Sequence, residues 1–292
     1  MKIGTRPYDD TVAARMKTDA EFRNEVSAQQ RNETQTEDGE MAKKQDAGGE
    51  IIIEQMQVGN AAVWIKGLSP LIYNAMSAKV KEGMLTGSAR KSAAEKAASL
   101  RHYPMEEYRA SVYRRDDDDG PTRLTFPAVA FKSAAVGAIR HIPNSGTNMT
   151  AMRQLMWVMG DKVDVYGVPQ MHMAVTKQAG MTGAPDMRTR AIVPEWCCCV
   201  TLRFVMPILN ETTLARLLDA AGLVIGVGDF RQEKGKGNYG QFQIASNDEC
   251  AEIIKAGGMK AQDKALEDPT FYDRETAELY ASYTAERKRR GK

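Results

Sequence analysis

Five of the chain's 24 glycines lie in one stretch, Gly226-Val-Gly-Asp-Phe-Arg-Gln-Glu-Lys-Gly-Lys-Gly-Asn-Tyr-Gly240. A helical apolar pattern precedes this glycine loop, and the alternating residues 241–244 after it predict a strand. Glycine lets the backbone adopt positive φ and approach a ligand closely. Free backbone N–H groups beside cationic side chains suit a phosphate. We therefore predict that the glycine loop contacts phosphate or nucleic acid; the alternative is a long connection whose charges are only solvated.

The side chains of the glycine loop favour the same chemistry. Arg231, Lys234 and Lys236 are candidates for phosphate contacts, and Phe230 and Tyr239 are candidates for stacking on bases. A Walker A loop is excluded because neither Ser nor Thr follows the Gly-Lys pair. A Rossmann fingerprint is excluded because its third glycine is absent and the loop follows its helix rather than opening it.

Composition sets limits on the other functions. The 292 residues are 42% hydrophobic and carry a formal net charge of +2, which by itself does not identify a nucleic-acid binder. The four cysteines include the consecutive Cys197–Cys199 and form no Cys-x-x-Cys pair, and the three histidines are scattered, so we expect no zinc and no cofactor. Free thiols and the absence of a long apolar run predict a cytoplasmic protein without membrane contact.

The chain divides into three parts by composition. Residues 1–50 are polar and predict a flexible N-terminal arm. Residues 51–258 predict the core domain, with inserted loops at 86–120 and 167–194. Residues 259–292 predict a charged helical C-terminal tail that closes on a basic cluster.

Helix and strand signals alternate within the core. A first strand is predicted to end at residue 66, and a helix to begin at Pro70 with Ser69 as its cap. A second helix is predicted to open at Pro127. The residues around Gly160 predict a hairpin. Residues 176–194 predict an irregular polar loop, and its cations Lys177, Arg188 and Arg190 are further candidates for nucleic-acid contacts.

The last part of the core completes a βαβ pattern. A strand is predicted over 196–206, then a helix capped by Asn210 or Thr212 and ended by Gly222, then the glycine loop and a strand over 241–245. With the strand and helix signals at 51–85 and 125–166, this predicts an α+β protein with a ferredoxin-like, RRM-like core and insertions.

The acidic run Asp116–Asp119 has two interpretations. Four adjacent carboxylates could hold a divalent metal. We expect an acidic turn between two strands instead, because no second carboxylate cluster accompanies the run.

Two stretches resemble a known superfamily. Phe126-Pro-Ala-Val-Ala-Phe-Lys-Ser-Ala-Ala-Val-Gly-Ala-Ile-Arg140 resembles a motif of the RAMP superfamily, and the glycine loop resembles the glycine-rich loop of the same proteins. RAMP proteins include the backbone subunits of CRISPR effector complexes, which polymerise along a guide RNA. Ala128 stands where the motif has glycine, and the glycine loop is longer and more charged than usual. The chain also resembles bacteriophage proteins that combine Gly-Leu-Ser-Pro-Leu-Ile, here 67–72, with the pattern at 226–233.

The resemblance implies single-stranded nucleic-acid binding and head-to-tail assembly. We expect a non-enzymatic, phage-encoded protein that forms homo-oligomers, as filaments or rings, along RNA or DNA in a bacterial host. The residues that the resemblance marks as candidate contacts are Lys132, Arg140, Phe230, Arg231, Lys234, Lys236 and Tyr239. It supplies no catalytic residue. Two alternatives stay open: a nuclease that uses Asp116–Asp119 or His141, and a structural phage protein that binds only protein.

Overall fold

The computed structural model describes residues 55–87, 102–143, 145–177, 185–234 and 237–291. The chain divides into two units after Gln55, and the elements below all belong to the unit Met56–Lys292. The arm predicted over 1–50 lies outside the described residues. Within the described ranges, no helix combines the length and the apolar character needed to cross a membrane.

Strands and helices alternate along the described unit. The strands are β1 Gln57–Gly67, β2 Leu71–Ile72, β3 Tyr113–Arg114, β4 Leu124–Pro127, β5 Met156–Val158, β6 Lys162–Tyr166, β7 Gln170–Lys177, β8 Pro185–Val193, β9 Cys197–Met206 and β10 Phe242–Ala245. The α-helices are α1 Ala78–Thr86, α2 Pro104–Ala110, α3 Ala128–Ala138, α4 Met149–Leu155, α5 Glu211–Val224, α6 Asn247–Ala256, α7 Met259–Glu267 and α8 Arg274–Arg289. Short 3₁₀ turns cover Ile139–His141 and Gln232–Lys234.

The larger sheet has the strand order β10-β1-β9-β6-β4-β3, with β5 also paired to β9. Its neighbouring strands pair in antiparallel fashion. In chain order β1, α3, β6, β9, α5 and β10 follow the β-α-β-β-α-β sequence, and β1 lies between β9 and β10. The arrangement is consistent with the predicted ferredoxin-like, RRM-like α+β class. A second sheet has the order β2-β8-β7.

One face of the larger sheet packs on α3 and α5. Alternate side chains of β1, Ala61, Val63 and Ile65, join this core. The small α3 residues allow close approach, and the ring of Phe131 meets that of Phe242 at 6.2 Å. On the opposite face, α6 covers a smaller cluster that contains Cys197, Cys250 and Ile253. The two faces follow from strand alternation, because successive side chains point to opposite sides.

Several predicted boundaries are confirmed. Pro127 is the N-cap of α3, and the Asn210 side chain caps α5 by accepting a hydrogen bond from the Thr213 N–H at 2.8 Å. Strands β9 and β10 lie within the predicted ranges. The acidic run Asp116–Asp119 lies between β3 and β4, as the turn interpretation predicts.

The helix predicted from Pro70 is wrong. Leu71 and Ile72 instead form β2 against β8, and the helix begins at Ala78 with Ser77 as its cap. The Ser69 hydroxyl accepts a hydrogen bond from the Gln241 N–H at 2.9 Å rather than from a helix N-terminus. The apolar spacing misled the prediction because a short buried strand and a helix turn share the same residue types.

Two further expectations are corrected. The strands on either side of Gly160, β5 and β6, do not form a hairpin with each other; both pair with β9. Much of the polar loop predicted over 176–194 is strand, because β7 and β8 pair in antiparallel register from Gln170↔Ile192 to Lys177↔Pro185. The polar side chains of β8 have partners that are distant in sequence; the Asp186 carboxylate, for example, lies 3.3 Å from Nε2 of His102.

The end of α5 also differs from the prediction. Gly222 lies inside the helix, which continues to Val224. A Cβ at position 222 would lie 1.9 Å from the backbone oxygen of Phe242. The glycine is therefore required by the approach of β10 to the helix rather than by a helix end.

Candidate functional site

The glycine loop packs on itself and on the segment 67–72. The N–H of Val227 donates to the Gly240 oxygen at 2.8 Å, and the N–H of Gly240 donates to the Pro70 oxygen at 2.8 Å. The Asp229 N–H donates to the Ile72 oxygen at 3.0 Å. The segments 67–72 and 226–233, which are far apart in the sequence, are thus neighbours in the fold.

The glycines of this loop make room for backbone. Gly240 has a φ of 71°, and a Cβ there would lie 1.6 Å from the Val227 oxygen. A Cβ on Gly237 would lie 1.4 Å from the Phe230 oxygen. The expectation of free N–H groups for a phosphate therefore needs correction, because N–H groups on both arms of the loop already donate within the fold.

Strand β8 is tied to the glycine loop through Arg190. Its Nη1 lies 2.5 Å from Oδ2 of Asp229, and its guanidinium lies 6.0 Å from the centre of the Phe230 ring. The Arg190 side chain is 13% exposed. Burial lowers the pKa of Arg190, and the neighbouring Asp229 opposes this shift. The predicted contact regions 176–194 and 226–240 therefore form one surface.

Phe230 is the exposed aromatic side chain of this surface. It has a φ of 53°, a left-handed conformation that is unusual for a bulky residue, and it is 37% exposed. The bridge that pairs Arg231 with Tyr239 continues the loop beyond Phe230, and the Tyr239 N–H donates to the Phe230 oxygen at 3.3 Å. These contacts hold the left-handed backbone of Phe230 in place. The partly exposed ring of Phe230 is suited to stacking on a base.

A small cavity of about 210 Å³ joins α3 to the glycine loop. Ala130 and Ser133 of α3 line it together with Gly226, Gly228 and Arg231. The Arg231 side chain contacts the Glu233 carboxylate at 2.7 Å and donates to the Gly228 oxygen at 3.2 Å. The third predicted stretch, 126–140, is thus also next to the glycine loop.

The structure describes the other predicted contact residues only in part. Lys132 on α3 is half-buried, and Arg140 in the following 3₁₀ turn is exposed, with its Nε 2.8 Å from Sδ of Met149. Arg188 on β8 is 53% exposed and lies 3.4 Å from the Asp186 carboxylate. The side chains of Lys177 and Lys234, and all of Lys236, lie outside the described residues.

A cluster formed by His172, Tyr272 and Asp273 lies close to the same surface. His172 on β7 lies 3.6 Å from the Asp273 carboxylate, and its ring meets that of Tyr272 edge-on at 5.4 Å. Burial lowers the pKa of His172; Asp273 opposes the shift, and Arg190 adds to it. The sequence carried no signal for this cluster, because its members come from distant parts of the chain.

Two carboxylates of the acidic run lie close to arginines. Asp117 lies 3.6 Å from Arg115, and Asp118 lies 2.5 Å from Arg123. Among the described residues, no group of three or more His, Cys, Asp or Glu side chains is placed to hold a metal ion.

Comparisons with known proteins give a distant likeness in structure. No protein-family model and no curated protein matches the chain. The chain is similar to one from the cryo-EM structure of the Type III-B Cmr-beta bound to cognate target RNA. The identity is 11%, the TM-score is 0.31, and the match covers 84% of this chain and 78% of the other.

Proposed function

We propose that this protein binds single-stranded nucleic acid, without cleaving it, on the surface formed by the glycine loop and strands β7 and β8. One observation carries the proposal. Three stretches singled out in the sequence, 126–140, 176–194 and 226–240, meet around the glycine loop. We infer that a single ligand contacts all three stretches, because they are far apart in the chain and each carries candidate contact residues.

The side chains of this surface divide into contact and positioning roles. Phe230 is exposed and offers a ring on which a base stacks. Arg188 is exposed and reaches a phosphate. Arg190 and Arg231 are engaged by Asp229 and Glu233, so their role is to hold the backbone that presents Phe230. Lys132, Arg140, Lys177, Lys234, Lys236 and Tyr239 complete the proposed set of contacts.

Self-assembly along the strand is the second part of the proposal. Exposed apolar side chains lie on α1 and the segment before it, and such patches are typical of protein contacts. They are Met76, Val80, Met84 and Leu85. This patch supports self-association. That the assembly is a homo-oligomeric filament or ring of a phage-encoded protein in the host cytoplasm is proposed from the sequence alone.

Fluorescence anisotropy with labelled single-stranded RNA and DNA tests the binding surface. Phe230→Ala should weaken binding about 5- to 100-fold, the range expected for one lost stacking contact. Arg188→Ala should weaken binding to all sequences alike and lower the salt dependence by about one phosphate contact. Arg153→Ala is the matched control, because Arg153 is an exposed arginine on α4.

The same experiment separates the alternatives. If the protein binds nucleic acid without cleaving it, the oligonucleotide recovered after binding should run at its full length on a gel. Shortened products would indicate a nuclease. Absence of binding at low salt, or unchanged affinity of Phe230→Ala, would overturn the proposed surface. Protein that assembles normally but ignores both nucleic acids would point to a structural protein that binds only protein.

A further inference from the structure

Four arginines line a cavity beside β3, the edge strand of the larger sheet that lies farthest from β10 in the strand order. The cavity has a volume of about 920 Å³. Helix α7 closes one side with Asp263, Leu266 and Glu267. The arginines come from α2, β3 and the β3–β4 connection: Arg109, Arg114, Arg115 and Arg123.

Three of these arginines already have strong partners. Arg123 Nε donates to the Asp263 carboxylate at 2.7 Å, and Arg115 Nη2 lies 2.5 Å from the Asp164 carboxylate. Arg109 donates to the backbone oxygens of Leu266 at 2.9 Å and Glu267 at 3.1 Å, at the C-terminal end of α7. These contacts hold the cavity wall in place.

Arg114 is different. It is half-buried, and its side chain donates a hydrogen bond from Nη2 to the Arg109 oxygen at 3.1 Å. Its Nε is buried without a hydrogen-bond partner, as is the Nε of Arg115. Arg115, however, pairs with Asp117 and Asp164, whereas Arg114 forms no ion pair within the described residues. Burial lowers the pKa of Arg114, and the neighbouring Arg109 and Arg123 lower it further, while Asp263 opposes them. The Arg114 guanidinium therefore lies beside two like charges, Arg109 and Arg123, with Asp263 as the opposing charge. The carboxylates of Asp116 and Glu267 also line the cavity.

We propose that this cavity binds a phosphate group, with Arg114 as its central ligand and Arg109 beside it. A guanidinium presents several N–H donors in a fixed fork, and this geometry matches the oxygens of a phosphate. A bound dianion offsets the repulsion between the clustered arginines. This site is independent of the glycine-loop surface, because the two share no residue.

Isothermal titration with inorganic phosphate, at an ionic strength held constant with sodium chloride, tests the site. The wild type should bind phosphate saturably at one site. Arg114→Gln should lower the affinity at least about tenfold, the effect expected when a charge-assisted hydrogen-bonding partner is removed. Arg153→Ala, which removes an exposed arginine outside the cavity, should bind as the wild type does.

A second variant keeps the test decisive if Arg114→Gln does not fold. Arg114→Lys retains the charge but loses the fork, and it should also bind phosphate at least about tenfold more weakly. Affinity equal to wild type in either folded variant, or the absence of saturable binding by the wild type, would overturn the proposal.

The source of the phosphate is distinguished by further titrations. A nucleoside monophosphate that binds more tightly than phosphate, while the nucleoside alone does not bind, would identify a nucleotide as the ligand. Equal affinities would identify free phosphate. Unchanged oligonucleotide affinity of Arg114→Gln would show that this site is separate from the glycine-loop surface, whichever way the test of that surface turns out.

Discussion

Gly222 and Gly137 form a matched pair for testing the packing of the two core helices. Both are buried glycines inside helices that pack on the same sheet face, Gly222 in α5 and Gly137 in α3. Alanine in a helix interior is favoured over glycine by about 0.5–1 kcal/mol. Local helix propensity alone therefore predicts that both Gly→Ala substitutions stabilise the protein.

The structure predicts opposite outcomes. A Cβ at position 222 would lie 1.9 Å from the Phe242 oxygen, whereas real Cβ atoms essentially never approach closer than 3.0 Å. Strand β10 would have to move by about 1 Å, the difference between these distances. Phe242 is 1% exposed and pairs with Gly67 of β1, so this movement disturbs both the core and the sheet.

Overpacking of this kind costs about 1–3 kcal/mol, and the backbone contact places Gly222→Ala near the upper end. After the gain in helix propensity, the net loss is about 2 kcal/mol, or about 4–8 °C in melting temperature for a domain of this size. At position 137 the Cβ would lie 3.4 Å from Cδ1 of Ile225, an ordinary contact. Gly137→Ala should therefore raise stability by about 0.5–1 kcal/mol.

Urea denaturation followed by circular dichroism measures both changes in the free energy of unfolding. A Gly222→Ala variant that is as stable as the wild type, or more stable, would refute the close approach of β10 to α5. A destabilised Gly137→Ala would show that the contact between α3 and Ile225 is tighter than the structure indicates.

Buried polar and ionisable groups give three further predictions. Gln262→Leu should lower the free energy of unfolding by about 3 kcal/mol in urea titrations, because the backbone N–H groups of Arg123 and Leu124 lose their acceptor; exposed Lys264→Ala should change little. Burial lowers the pKa of His172 below 6.5, so the unfolded chain binds more protons and stability should fall as the pH drops below 6.5. His172→Phe should reduce the dependence of the free energy of unfolding on pH, as measured by urea titrations at several pH values. Burial raises the pKa of the Cys197 thiol, so a thiol reagent should label it only upon unfolding, after the less buried Cys199.

The sequence pointed to the segments of the candidate site but could not give their geometry. Glycine spacing and basic residues directed attention to 226–240 and 176–194, and the structure places these regions in contact. The ion pair between Arg190 and Asp229 could not be predicted, because it depends on where β8 and the glycine loop come to lie. The role of the glycines was also misjudged, since free N–H groups and close backbone packing favour the same residue type.

The charged C-terminal region gives a second example. Gln262 lies in a helix of charged residues and looks like a surface residue from the sequence. In the structure it is fully buried, and its amide donates to the backbone oxygens of Val165, Gly167 and Gly257. A polar residue of this kind is buried only where distant strands present unpaired backbone groups, and no local pattern reports them.

Features that depend on neighbouring residues could be predicted from the amino-acid sequence. The capping of α5 by Asn210, the opening of α3 at Pro127 and the strands β9 and β10 follow from contacts and alternation over a few positions. Three other features needed the folded chain: residues 71–72 are a strand, Gly222 lies within a helix, and the buried Nε of Arg114 has no hydrogen-bond partner among the described residues. They depend on groups that are far apart in the chain and meet only when the sheet forms.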